Sequence, residues 1–202
     1  MPSKIHLIAI GGSVMHNMAL ALVRQGHHVT GSDDQIFEPA KSRLARVGIL
    51  PDKEGWDAGK INSDLDVVIL GMHAKIDNPE LLRALELEIP VYSFPAYVSE
   101  MFHGKLKVVV AGSHGKTTTT SMIMHVLKSL NLSFDFLVGA QLEGLDEMVA
   151  FSEAPLAIIE GDEYLSSCLD LRPKFLHYAP QILIITGIAW DHYNVFPTLE
   201  SY

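Results

Sequence analysis

The sequence contains a single cysteine, Cys168. One thiol cannot form an internal disulfide, so packing and hydrogen bonding must hold the fold, and a reducing compartment fits. Positive charge is also scarce. Against 24 Asp and Glu stand 15 Lys and Arg, leaving a net charge of -9 with ten His counted neutral. Nucleic-acid binding relies on Lys and Arg neutralising phosphates, so no nucleic-acid partner is expected, and an anionic ligand must be met by local donors. No apolar run is long enough to span a membrane, and the opening Met-Pro-Ser-Lys has no signal-peptide character. A soluble cytoplasmic protein with no membrane partner is expected. Internal repeats and low-complexity stretches are missing too. What remains is a chain of 202 residues, 48% hydrophobic, enough to build a core for one large or two small domains.

The most informative stretch is residues 107–127. The β-branched run Lys107-Val-Val-Val-Ala111 leads into Gly112-Ser113-His114-Gly115-Lys116-Thr117-Thr118, and then into an apolar-periodic run ending at Leu127. Strand, small-residue turn, Gly-Lys-Thr and helix is the order a phosphate-binding loop needs. Glycines let backbone amides close around phosphate oxygens, and the helix start adds its positive dipole end. Lys116 would reach the β- and γ-phosphates and the Thr117 hydroxyl would sit on Mg²⁺. The usual pattern has an earlier Gly where this chain has Val110.

Residues 1–104 read as alternating strands and helices. Residues 4–10 form a short apolar strand, followed by Gly11-Gly12-Ser13, a helical pattern through Met15, Met18, Leu22 and Val23, and Gly26 as its cap. Residues 28–32 form a second strand ending at Asp33-Asp34. This is a βαβ unit with a Gly-rich first turn and an acidic residue about twenty positions on. The dinucleotide fingerprint is incomplete, because Ala9 and Val14 replace its first and third Gly. That weakens a nicotinamide-dependent dehydrogenase, which also leaves residues 111–120 without a role. Helices are expected at residues 39–47, 79–87 and 96–102, and strands at 64–71 and 89–93. The exit of the first of these strands, Gly71-Met72-His73-Ala74, faces the carboxyl edge where open α/β sheets bind ligands. Such alternation predicts a mostly parallel sheet. His103-Gly104-Lys105 marks the expected boundary.

Residues 105–202 hold the phosphate loop, then expected strands at 134–139, 155–159 and 181–186, the last read as buried, with residues 141–153 an acidic loop. The second of these strands delivers Glu160-Gly161-Asp162-Glu163, and the third leads to Trp190-Asp191-His192. Carboxylates just past a buried strand in a phosphate-loop domain are where Mg²⁺ ligands usually lie. His192 is a further ligand candidate, His114 either touches a phosphate or caps the turn, and His177 is read as structural. No helix follows the last strand, so the phosphate-loop domain is expected to be truncated. The fold class is α/β: a Rossmann-like parallel-sheet N-terminal domain, then an incomplete P-loop-type domain.

These segments resemble the Mur ligases, ATP-dependent amide-forming enzymes of bacterial peptidoglycan assembly. Residues 5–13 through Gly31-Ser32-Asp33 are similar to that family's uridine-diphosphate-binding domain. Ala111-Gly-Ser-His-Gly-Lys-Thr-Thr-Thr119 is similar to its ATP loop, which also lacks the early Gly. Glu160-Gly-Asp-Glu-Tyr164 with Trp190-Asp191-His192 resembles its pair of metal-binding segments. The resemblance implies ATP and Mg²⁺ as cofactors and an acyl-phosphate route. It implies UDP-N-acetylmuramate as acid substrate and an amino acid or peptide as amine. Residues 164–180 point to the member that uses the tripeptide L-alanyl-γ-D-glutamyl-meso-diaminopimelate in peptidoglycan recycling; the L-alanine-adding member is the alternative. A fragment that binds UDP-sugar without catalysis is a third reading, and the 202 residues alone are expected to be inactive.

Carried over by position, residues 1–104 would bind UDP-sugar and residues 105–202 ATP, with the family's C-terminal domain absent. Gly112, Ser113, His114, Gly115, Lys116, Thr117 and Thr118 would bind ATP. Thr117 and Glu160 would hold one Mg²⁺ and His192 a second, and Lys116, Glu160 and His192 would carry the chemistry. Gly11, Gly12, Ser13 and Met15 would line the UDP diphosphate, Asp33 the uridine, and His73 and Ala74 the diphosphate or sugar. The residues departing from the family's pattern are Ala9, Val14 and the pair Thr186-Gly187.

Overall fold

The protein is represented by a computed structural model that describes residues 2–142 and 144–202. Met1 and Glu143, the latter within the stretch read as an acidic loop, lie outside the described residues. The chain divides into two compact units, one of Met1–Tyr97 with Ser166–Leu171 and one of Val98–Leu165 with Arg172–Tyr202.

The first unit contains β1 (Lys4–Ile8), α1 (Ser13–Arg24), β2 (His28–Ser32), α2 (Ala40–Arg46), β3 (Val67–Leu70), α3 (Pro79–Glu86) and β4 (Val91–Ser93); α4 (Phe94–Met101) follows. The sheet order is β2-β1-β3-β4 with every pair parallel. The two central strands must bury both faces, which is why they read as unbroken apolar runs; Ile5, Leu7, Ile8, Val68, Ile69 and Leu70 are fully buried. The alternation expected from the sequence is therefore this Rossmann-like sheet.

Local chemistry sets the helix ends. The Asn78 side chain accepts hydrogen bonds from the Glu80 and Leu81 amides, and Pro79 occupies the first turn of α3. Gly26, at φ +86°, closes α1. One buried polar link ties helix to sheet. His6 Nε2 meets Glu80 Oε2 at 3.2 Å and His6 Nδ1 meets Thr30 Oγ1 at 2.8 Å. Burial alone would raise the Glu80 pKa, but its bonds to His6, the Asp57 amide and Ser32 hold it below the usual value.

The second unit contains β5 (Leu106–Ala111), α5 (Lys116–Ser129), β6 (Asp135–Leu137), β7 (Val149–Ala150), β8 (Leu156–Glu160) and β9 (Ile182–Ile185). The order is β7-β6-β8-β5-β9, parallel except for β7, which lies antiparallel to β6. Two departures from expectation follow from this order. The short β7 falls in the stretch read as loop, because a two-residue edge strand leaves no periodicity to detect. The other departure concerns β9, which was expected to be buried. Among the described residues it occupies an edge and pairs only with β5, so Ile182, Leu183 and Ile185 are about half exposed despite the apolar sequence.

A buried ion pair fixes the opposite side of this sheet. Lys105 Nζ lies 2.7 Å from Asp135 Oδ2 and donates to the carbonyls of Ser152 and Ala154, while the Ser152 hydroxyl donates to Asp135 Oδ1. Lys105 thus joins the entry of β5 to the start of β6. Among the described residues, no helix is long and apolar enough to cross a membrane.

Candidate active site

In the first unit, parallel strands bring three sequence-distant turns to one edge. Sheet order reverses between β1 and β3, and ligand crevices form at the carboxyl ends of strands around such a point. Gly11, Gly12 and Ser13 follow β1, Asp33 follows β2, and His73 and Ala74 follow β3, so the register gathers them. Gly71 tightens the contact: its amide donates to the Ile8 carbonyl, and a Cβ added there would stand 2.9 Å from the Ala9 Cβ. Ala9 takes φ +68°, the left-handed conformation that glycine adopts most readily. Backbone bonds from the Ala9 and Ile10 amides to the Ser32 carbonyl hold it there.

Side-chain accessibility divides these candidates. Ser13 and His73 are exposed, whereas Met15 and Ala74 are buried. Met15 therefore packs beneath the turn. Asp33 is buried too, and its carboxylate is already engaged: Oδ2 accepts from the Gly11 amide at 2.7 Å and Oδ1 from the Asp34 amide at 2.9 Å. Burial, helped by the neighbouring Asp34, pushes the Asp33 pKa up to about 6 against the opposing backbone bonds. Asp33 thereby braces the glycine turn.

In the second unit, β5 ends at Ala111 and the loop 112–115 delivers the chain into α5. Gly112 takes φ +115° and Gly115 φ +79°. No side chain fits at Gly112, because an added Cβ would stand 2.7 Å from the Gly187 carbonyl and 2.9 Å from the Thr186 amide. The loop is pinned to the exit of β9 from both sides. Ser113 N donates to Gly187 O, Thr186 N donates to Ala111 O, and Ala189 N donates to Ser113 Oγ. The Thr186 hydroxyl also donates to the His114 carbonyl. With the loop closed this way, the first-turn amides of a 14-residue helix stand at its mouth.

Parallel pairing then supplies the carboxylates. Val110 lies in register with Glu160, and Gly161 N donates to Val110 O. The exit of β8 therefore runs beside the loop. Two clusters result. In one, Thr117 Oγ1 donates to Glu160 Oε1 at 2.8 Å, and Gly139 N donates to Glu160 Oε2 at 3.0 Å. In the other, Lys116 Nζ donates to Gly112 O at 2.6 Å and to Glu163 Oε1 at 3.0 Å, and His192 Nε2 lies 3.3 Å from the same oxygen. Asp162, Glu163 and His192 each turn one ligand-type atom into a space where all three lie within 4.8 Å of one another.

His192 thus faces Glu163. It takes φ +51°, with its amide donating to Asp191 Oδ1 and its ring edge-on to Tyr164 at 5.0 Å. Burial works to raise the Asp162 pKa, but the Lys174 ammonium, the Tyr164 amide and His192 hold it below the usual value. Tyr202, beside Glu163, has its phenol pushed up to about 12 by burial and that carboxylate's charge. Glu163 is only 7% exposed, and among the described residues its Oε2 meets no hydrogen-bond partner within normal geometry, although Tyr202 lies beside it. From the acidic run after β8, only Glu160 was carried to a named role from sequence, while Asp162 and Glu163 were not. The run Glu160-Gly161-Asp162-Glu163 was the available signal, but only the path after β8 decides which carboxylates turn inward.

Comparison with known proteins is consistent across sequence and structure. The family described as Mur ligase family, catalytic domain, matches residues 4–105. A UDP-N-acetylmuramate–L-alanyl-γ-D-glutamyl-meso-2,6-diaminoheptandioate ligase of Haemophilus influenzae is 34% identical over 200 residues, covering 98% of this chain and 44% of that protein. A UDP-N-acetylmuramate–L-alanine ligase of Rubrobacter xylanophilus is 37% identical over 198 residues, covering 98% of this chain and 42% of its own length. The chain thus spans less than half the length of these curated relatives. The crystal structure of a UDP-N-acetylmuramate:L-alanyl-γ-D-glutamyl-meso-diaminopimelate ligase from Neisseria meningitides superposes with a TM-score of 0.89 at 32% identity, covering all of this chain and 65% of that one.

Proposed function

Because the chain belongs to the Mur ligase family, we propose that the protein is an ATP-dependent ligase that activates the carboxylate of UDP-N-acetylmuramate and joins it to an amine. Residues 1–104 form the UDP-sugar-binding domain in this reading, and residues 105–202 belong to the ATP-binding domain. The observation that carries it is the Thr117–Glu160 contact beside Lys116 at the start of α5. A hydroxyl and a carboxylate meet at a helix N-terminus, next to an ammonium, and that is what a nucleotide phosphate with its cation requires.

The chemistry follows from the donors. A carboxylate is a poor electrophile, and phosphorylation gives it a leaving group. Lys116 and the first-turn amides of α5 hold the β- and γ-phosphates in line for attack by the muramate carboxylate. The product is an acyl phosphate, from which the amine then displaces phosphate to form the amide. Phosphoryl transfer asks for positioning and charge neutralisation more than covalent help. Thr117 and Glu160 offer hard oxygen ligands suited to one Mg²⁺, and His192 would hold a second in this reading. The ion, when bound, supplies charge neutralisation on the phosphate oxygens. Gly11, Gly12 and Ser13 would cradle the UDP diphosphate, with Asp33 holding their turn and His73 reaching the diphosphate or sugar.

The amine is the tripeptide L-alanyl-γ-D-glutamyl-meso-diaminopimelate in the preferred reading, supported by the Haemophilus relative and the Neisseria structure. The Rubrobacter relative supports L-alanine instead. Competition between the two amines in one reaction, read by mass of the product, separates them. Lys116→Ala in the full-length protein is expected to abolish ATP-dependent ligation; product formation near the wild-type rate would overturn the assignment.

A further inference from the structure

Three polar side chains form a chain of hydrogen bonds behind the glycine turn that follows β1. His16 and Asn17 of α1 are both buried, and Arg43 reaches them from α2. His16 Nδ1 lies 2.9 Å from Gly12 O, and Asn17 Nδ2 donates to Ser13 O at 2.9 Å. Asn17 Nδ2 also lies 3.0 Å from His16 Nε2, and Arg43 Nη1 donates to Asn17 Oδ1 at 3.4 Å. A carbonyl only accepts, so His16 Nδ1 carries the proton. Its Nε2 is then the acceptor for Asn17, whose amide can face only one way between the Arg43 donor and the Ser13 acceptor. Burial, aided by the Arg43 guanidinium that faces it, holds the His16 pKa below the usual value against the Gly12 bond. The ring is therefore neutral near neutral pH, as this chain of bonds requires.

From this geometry we infer that His16, Asn17 and Arg43 are positioning residues for the nucleoside-diphosphate substrate, fixing the two peptide planes whose amides open α1. Gly12 C=O and Ser13 N–H share one planar peptide, and Ser13 C=O and Val14 N–H share the next. Holding each oxygen sets the direction of the N–H on the opposite edge. The first amides of a helix have no acceptor within it, and Gly12 as N-cap has no side chain to meet them. They stand at the positive end of a 12-residue helix, where a diphosphate is best received. A turn ordered in advance also loses less freedom when the ligand arrives. Asp33 holds the other end of the turn through the Gly11 amide, so carboxylate and imidazole fix it from opposite sides. The inference rests on the reading of Gly11, Gly12 and Ser13 as the UDP-diphosphate turn, and it adds residues that act on the turn's peptides rather than on the substrate.

The test combines kinetics of the full-length protein with a spectroscopic reading of His16. His16→Ala removes both the bond to Gly12 O and the acceptor for Asn17, and should raise KM for UDP-N-acetylmuramate about tenfold. KM for ATP and kcat should change less than about twofold, because the turn holds ground and transition states alike. His16→Asn places an amide nitrogen where Nδ1 stands, keeps the donor to Gly12 O, and should return KM to within about threefold of wild type. Thermal melting of each variant confirms folding, and Asn17→Leu, which should raise the same KM, replaces His16→Ala should that variant fail to fold. Imidazole ¹⁵N resonances of the ligand-free protein, with His16 identified by the signal lost in His16→Asn, should show Nδ1 protonated and Nε2 bare. An unchanged KM in His16→Ala, equal losses in His16→Ala and His16→Asn, or a proton on Nε2 in place of Nδ1 would overturn the inference. A wild type that binds no UDP-N-acetylmuramate by calorimetry overturns the reading of the turn itself, whatever the tautomer, which keeps that failure distinct from a failure of the relay.

Discussion

Replacing Gly112 with alanine should open the phosphate loop while leaving the rest of the second unit folded. The added Cβ meets backbone atoms, Gly187 O at 2.7 Å and Gly187 N and Thr186 N at 2.9 Å, so no side-chain rotation relieves it. A left-handed backbone costs an L-residue roughly 1–2 kcal/mol, and φ +115° lies beyond the region where such residues are tolerated. Separating the two loops also breaks the Ser113 N to Gly187 O and Thr186 N to Ala111 O bonds, each worth about 1 kcal/mol. Reduced freedom in the unfolded chain returns about 0.4–1 kcal/mol. The net local loss is about 2–3 kcal/mol, a roughly 30- to 150-fold fall in amide-exchange protection. Hydrogen exchange at Ser113 and Thr186 measures it directly. ATP affinity should fall as well, because Gly112 O positions the Lys116 ammonium. Protection within threefold of wild type would refute the argument, since it would mean that residues 186–187 yield at no cost.

Two further outcomes test other parts of the account. Asp33 has its pKa raised on folding to about 6, so the folded state binds the extra proton. Its contribution to stability is therefore greatest below pH 4 and declines as pH rises through 6; Asp33→Asn should flatten that slope in urea midpoints measured from pH 4 to 7, and an unaltered slope would contradict the assignment. Asp135→Ala removes the only counter-charge facing the Lys105 ammonium among the described residues and leaves it to the Ser152 and Ala154 carbonyls alone; it should cost about 3 kcal/mol in denaturant unfolding, whereas a loss below 1 kcal/mol would show that water reaches Lys105.

Much of the fold was legible because its central strands are apolar on both faces and its helices carry their own punctuation, such as Asn78-Pro79 and Gly26. The phosphate loop was legible for a related reason: its strand, glycines and Gly-Lys-Thr are contiguous. What stayed hidden depends on approach through space. Nothing in the sequence pairs His6 with Glu80, 74 positions away, or Lys105 with Asp135. A glycine was missing where Ala9 stands, yet the backbone adopts the glycine-like conformation there, so composition understated the turn. Asp33 was read as a ligand residue, and its carboxylate proves to be occupied by the Gly11 and Asp34 amides. His192 is read from sequence as holding a second ion apart from Thr117 and Glu160, and the paths after β8 and β9 bring it to Glu163, a neighbour the sequence does not name for it.

Activation of a carboxylate by ATP is the central claim, and isotope transfer tests it most directly. UDP-N-acetylmuramate labelled with ¹⁸O in its carboxylate is incubated with the full-length protein, ATP, Mg²⁺ and the tripeptide, and the released phosphate is analysed by mass. The account predicts one ¹⁸O atom in each phosphate formed, because the acyl phosphate passes a carboxylate oxygen to it. Amide formation that releases unlabelled phosphate would contradict it.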